Sequence, residues 1–106
     1  MNHNRLTSEL AEKVMGWKVG PERFQTGSRM WIPRWRFQPT YRIEDAYKLL
    51  VAATPISSAD GCDSSGLFWA RVRVAGGLGF ATAETRPLAI TIAVAQAVGV
   101  TPGARD

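Results

Sequence analysis

Apolar and polar positions alternate most cleanly between Leu67 and Val74. Phe68, Ala70, Val72 and Val74 fall on one face, and Trp69, Arg71 and Arg73 on the other, the period of a half-buried strand. Gly76-Gly77 reads as a two-residue hairpin turn supplying positive backbone angles, with Leu78 to Glu84 returning as the partner strand. The pattern then becomes helical. Thr85 is placed as N-cap, Pro87 sits in the first turn where a missing N–H costs little, and Gly99 closes the end. Only Thr91 and Gln96 interrupt the apolar surface from Leu88 to Val98, so this helix should be covered on more than one side, by sheet and by another helix or subunit.

Earlier segments follow the same logic. Leu6, Leu10 and Val14 recur every four residues, widened by Ala11 and Met15, behind a cap at Thr7 or Ser8; Gly16 stops this first helix. Glu9 and Glu12 are expected near its positive end and Lys13 near its negative end. Trp17 to Val19 can start a strand, and residues 20–28 form a loop. Arg29 to Phe37 reads as a strand with Trp31, Trp35 and Phe37 on one side and Arg34 and Arg36 on the other, confined by Pro33 to an edge or a bulge. Pro39-Thr40 opens a second helix with Ile43, Ala46, Tyr47, Leu50 and Val51 on its apolar face; Thr54-Pro55 ends it, and residues 55–66 make the longest loop.

The element order is therefore α-β-α-β-β-α. It implies one α+β domain over residues 6–100, between a flexible N-terminus (1–5) and a flexible tail (101–106). A mainly antiparallel sheet of about three to four strands with three helices packed on its faces is the simplest assembly of those elements.

Three stretches resemble the phage ABA sandwich domain family, small proteins of phages and prophages. They are Val14-Met15-Gly16-Trp17 after a short helix; Pro39-Thr40 leading into Ile43, Ala46, Tyr47 and Leu50; and Ala83 to Ile90. Tyr47 stands where that family more often has an indole, and the basic segment 20–36 has no counterpart in it. The resemblance implies an α-β-α sandwich and a phage or prophage origin, and it implies no activity.

Composition narrows the setting. A chain of 106 residues with 45% hydrophobic content is large enough for one core without disulfides, and Cys62, being alone, has no internal partner. No apolar leader opens the chain. Residues 87–104 carry no charge, but their continuous apolar part, Leu88 to Val100, is too short to cross a bilayer, and Gly99, Pro102 and Gly103 break any extension. The expectation is a soluble, cytoplasmic protein with no membrane partner. Its net charge of +4 is concentrated: Lys18, Arg23, Arg29, Arg34, Arg36 and Arg42 face only Glu22 across residues 17–42.

Catalytic chemistry finds little purchase. The single histidine is His3, and there is no nucleophile-elbow motif and no Gly-rich loop followed by Lys-Ser or Lys-Thr. Asp60, Cys62 and Asp63 cluster, but a zinc site needs four ligands rich in Cys and His, and a calcium loop needs spaced acids ending in Glu. The paired acids Glu9/Glu12 and Glu44/Asp45 suit first helical turns for dipole reasons alone. No enzyme, metal, cofactor or small-molecule ligand is expected.

Binding is the open chemistry. Trp31, Arg34, Trp35 and Arg36 in one segment, and Trp69, Arg71 and Arg73 in another, form the candidate surface. The leading expectation is a protein-interaction module, self-associating through the apolar last helix or an open strand edge, with a two-fold dimer as the default. The alternative is single-stranded nucleic acid, its phosphates held by arginine and its bases stacked on tryptophan.

Overall fold

In the computed structural model, which describes residues 3–100, the chain builds two separate three-stranded antiparallel sheets and three helices. Helix α1 (Asn4–Lys13) leads into the small sheet, β1 (Lys18–Val19), β2 (Arg23–Gln25) and β3 (Trp31–Pro33). Helix α2 (Ile43–Ala52) is followed by the larger sheet, β4 (Ser57–Cys62), β5 (Phe68–Val74) and β6 (Gly77–Ala83), and then by α3 (Arg86–Val98). The α+β class and the three helices are as the pattern implies. The single sheet flanked by helices on both faces is not: the strands divide between two sheets, and the larger sheet keeps one face open.

Helix α3 is the centre of the molecule. Ala89, Ile90, Thr91, Ala93, Val94, Ala95 and Ala97 are all buried. One side lies on β5 and β6, and α2 packs beside it. The buried residues of α1, Phe24 of β2, and Phe37 complete the same core. Its ends follow the sequence signals: the Thr85 hydroxyl accepts from Leu88 N–H, Pro87 occupies the first turn, and Gly99 is left-handed at φ 86°. Thr91, fully buried, donates its hydroxyl to the carbonyl of Pro39 at 2.7 Å. That bond fastens α3 to the segment entering α2.

The approach of α3 to β6 is close because β6 has almost no side chain on that face. Gly77, Gly79, Ala81 and Ala83 point inward, in register with Val74, Val72, Ala70 and Phe68 of β5. A Cβ on Gly77 would strike the backbone carbonyl of Ala97, and one on Gly79 that of Ala93. Two helix residues one turn apart thus seat their backbone directly on the strand.

Several boundaries differ from the sequence expectation. Strand β3 stops at Pro33, whose missing N–H cannot extend a ladder, and Arg34–Arg36 turn into a 3-10 helix. Residues 57–62 are not loop but β4, paired along its whole length with β5. Its Ser-Ser-Ala-Asp-Gly-Cys sequence lacks alternation because, as an edge strand, it buries little. The hairpin turn is Ala75-Gly76, since Val74 already pairs with Gly77. Neither Gly76 nor Gly77 is left-handed; among the described residues the left-handed glycines are Gly16, Gly66 and Gly99. Helix α1 begins at Asn4, so Glu9 lies mid-helix, 3.3 Å from Arg5. On α2 the buried set is Asp45, Ala46, Leu49 and Leu50, whereas Tyr47 is exposed and Val51 is 73% exposed. The expected tail at 101–106 and the first two residues lie outside the described residues.

Candidate functional site

The seven residues of the expected binding surface do not form one surface. Trp31, Arg34, Trp35 and Arg36 belong to the small sheet and the turn that follows it, while Trp69, Arg71 and Arg73 lie on β5 of the other sheet.

Arg34 is largely engaged within the fold. Its Nη2 donates to Ser8 Oγ at 2.8 Å and to the Gly20 carbonyl at 3.0 Å, and its Nε donates to the Pro21 carbonyl at 3.0 Å. The guanidinium also stacks on Phe24, 4.8 Å from the ring centroid. This is a clip joining α1 to the first turn of the small sheet, and it uses most of the donors an arginine has. Trp31 has one face covered as well, by the guanidinium of Arg23 at 4.3 Å. Trp35 and Arg36 remain exposed.

The outer face of β4–β5–β6 is different. Cross-strand register places Ser57, Ala59 and Gly61 of β4 beside Arg73, Arg71 and Trp69 of β5, and these beside Leu78, Phe80 and Thr82 of β6. Leu78, beside the hairpin turn, is 61% exposed, and Phe80, in the middle of β6, is 55% exposed. Strand β6 therefore inverts the usual order, turning its small residues inward and its large apolar ones to water. Sequence reasoning passed over Leu78 and Phe80. The signal was present in the Gly-Leu-Gly-Phe-Ala alternation, which reads correctly only once the glycines are assigned to the buried side.

Two further contacts shape this face. The rings of Trp69 and Phe80 lie nearly parallel, 19° apart with centroids 6.5 Å from each other. Opposite Trp69 is Gly61, where a Cβ would come within 3.0 Å of indole Nε1 and Cζ2 and 3.1 Å of Cε2. The absence of a side chain at Gly61 makes room for the indole over β4. Every charged residue of the face is an arginine.

The remaining polar groups mostly close the structure on itself. Asp60 lies on the inner face of β4, 3.3 Å from Arg86, with the Tyr47 hydroxyl donating to it at 3.4 Å. Asp63 caps the β4–β5 loop: its Oδ1 accepts from the Ser65 hydroxyl at 2.6 Å and from the backbone N–H groups of Ser65 and Leu67 at 2.9 and 3.0 Å. The Ser65 hydroxyl, followed by those N–H groups, holds the Asp63 carboxyl below its ordinary value of 3.8. Among the described residues no group of three or more His, Cys, Asp or Glu is placed to hold a metal ion, and no helix is long and apolar enough to cross a membrane.

No protein-family model matches the chain, and no curated protein matches it either. Among solved structures, the chain is similar to a phage protein from Bacillus cereus ATCC 14579, with a TM-score of 0.77, 19% identity, and coverage of 95% of this chain and 91% of that one. The likeness is one of fold, over nearly the full length of both chains, and the fold is that of a phage protein.

Proposed function

We propose that this protein acts by binding rather than by catalysis, as a small phage-type interaction module, and that the outer face of β4–β5–β6 is its contact surface. One observation supports that reading above the others: β6 keeps Leu78 and Phe80 in water while glycine and alanine occupy its buried side. Moving one such side chain from water into a core is worth about 1.5–3 kcal/mol, and the fold forgoes that gain at Leu78 and Phe80.

Helix α3 is largely covered by its own chain, which argues against self-association through it and leaves the strand edges as the other expected route. A second copy pressed against the sheet face would set Arg71 and Arg73 against their own equivalents. The partner that suits the face is anionic, with apolar or planar groups between its charges.

Titration of isotope-labelled protein with polyphosphate, followed by NMR, tests the assignment. Shifts should concentrate at Trp69, Arg71, Arg73, Leu78, Phe80 and Thr82, and light scattering should give a monomer. Shifts centred instead on residues 17–42 would overturn it.

A further inference from the structure

We infer that the outer sheet face holds single-stranded nucleic acid, with bases laid on Trp69 and Phe80 and phosphates on Arg71 and Arg73. The inference rests on the reading of this face as the contact surface and names its occupant.

The geometry of the indole comes first. Three of its ring atoms lie at nearly one distance, 3.0–3.1 Å, from the point where a Gly61 side chain would begin. The Nε1 side of the half-buried indole therefore lies over β4, in the room that Gly61 leaves. Phe80 lies within 19° of the same orientation on the neighbouring strand and is 55% exposed. Together they offer flat ring surface, which is what a nucleobase stacks on and what every base can use.

The charges are arranged to match. Arg71 is directly opposite Phe80, and Arg73 opposite Leu78, so both guanidinium stems rise among the apolar residues. They are two residues apart on one strand, roughly 6–7 Å by the rise of a β-strand, a step of the same scale as that between phosphates in an extended chain. Gly61, Ala59 and Ser57 keep the third strand low, so the surface is flat and no element protrudes from it to enter a duplex groove. A duplex offers phosphates alone, its bases being stacked on one another; a single strand offers both.

The other aromatic–arginine set keeps only Trp35 and Arg36 exposed together. The Arg34 guanidinium is bound to Ser8, Gly20 and Pro21, and Arg23 lies over one face of Trp31.

Fluorescence anisotropy with a labelled oligodeoxythymidine tests the inference, beside the same sequence as a duplex, polyphosphate and a polyglutamate peptide. The single strand should bind more tightly than any of the other three. Arg71→Ala with Arg73→Ala should weaken it at least tenfold and reduce the salt slope by about 1.4, the share of two phosphates on a single strand. Phe80→Ala should weaken it by about 5- to 150-fold, the equivalent of one stacked base. Gly61→Val should displace the indole and weaken oligonucleotide binding while polyphosphate binding holds. Trp35→Ala with Arg36→Ala should change nothing, and circular dichroism checks the fold of each variant.

Polyphosphate binding as tightly as the oligonucleotide, with Phe80→Ala silent, would leave an anionic contact face and overturn the nucleic-acid inference. Polyglutamate binding more tightly would assign the face to an acidic protein instead. Binding of none of the probes would remove both the inference and the contact-surface reading.

Discussion

Gly79 and Ala93 meet backbone to backbone: a Cβ on Gly79 would fall on the carbonyl oxygen of Ala93 and within 2.8 Å of its carbonyl carbon. Neither atom belongs to a flexible side chain that can move aside. Gly79→Ala must therefore push α3 away from β6, an overpacking cost of about 1–3 kcal/mol. Gly76, in the adjoining turn, has nothing within 4 Å of its virtual Cβ, and Gly76→Ala should stay within about 0.5 kcal/mol of wild type. Urea denaturation of the two variants decides the matter; equal midpoints would mean that the helix can shift freely.

The Thr91–Pro39 bond makes a second prediction. Thr91→Val keeps the shape of the side chain and removes its donor, leaving a buried carbonyl unpaired at a cost of about 1–3 kcal/mol. Thr91→Ser keeps the donor and loses a methyl group, and should cost less than Val. The reverse order in thermal unfolding would show that packing, not the hydrogen bond, fixes this position.

Arg34 separates a structural arginine from the binding ones. Arg34→Ala should destabilise by about 1.5–3 kcal/mol, the range for hydrogen bonds to a charged group. Arg34→Lys should recover only part of that loss, because one ammonium does not reproduce the fork that reaches Ser8, Gly20 and Pro21 together. Oligonucleotide affinity of the folded Arg34→Ala protein should equal wild type.

Asp63 sets a pH dependence with a defined sign. Its carboxyl is held below 3.8 in the folded chain, chiefly by the Ser65 hydroxyl, so the unfolded state takes up a proton first as the pH falls. Its stabilising contribution is thus complete above the unfolded value and is lost as the pH drops through the folded one. Stability curves of wild type and Asp63→Ala should converge on acidification below 3.8, and the side-chain carbon of Asp63 should titrate below that value by NMR. A midpoint at or above it would contradict the loop geometry.

What the sequence made legible was the part governed by local rules. The alternation of β5, the Thr85 cap, Pro87 and Gly99 all fall where spacing and capping chemistry put them, because each depends on neighbours within a few residues. Strand β4 was illegible, since a polar edge strand is specified by the ladder of β5 and not by its own side chains. Arg34 was misread for a related reason: alternation placed it on a wet face, and only the arrival of α1 and the first turn makes it a clip. The outer-face patch was half visible. Trp69, Arg71 and Arg73 shared a readable face, but the facing of Leu78 and Phe80 depends on which side of β6 the helix α3 seats its backbone.

Helix α3 lies between the larger sheet and the rest of the core, and among the described elements it is also the last to be synthesised. On the ribosome, the larger sheet and α2 emerge with their apolar faces uncovered until residues 86–98 leave the exit tunnel. The core of the larger sheet therefore closes only when α3 arrives, late in translation. A nascent chain stalled before Arg86 presents exposed strands to chaperones and proteases, so premature arrest destroys the product and leaves no partly working module behind.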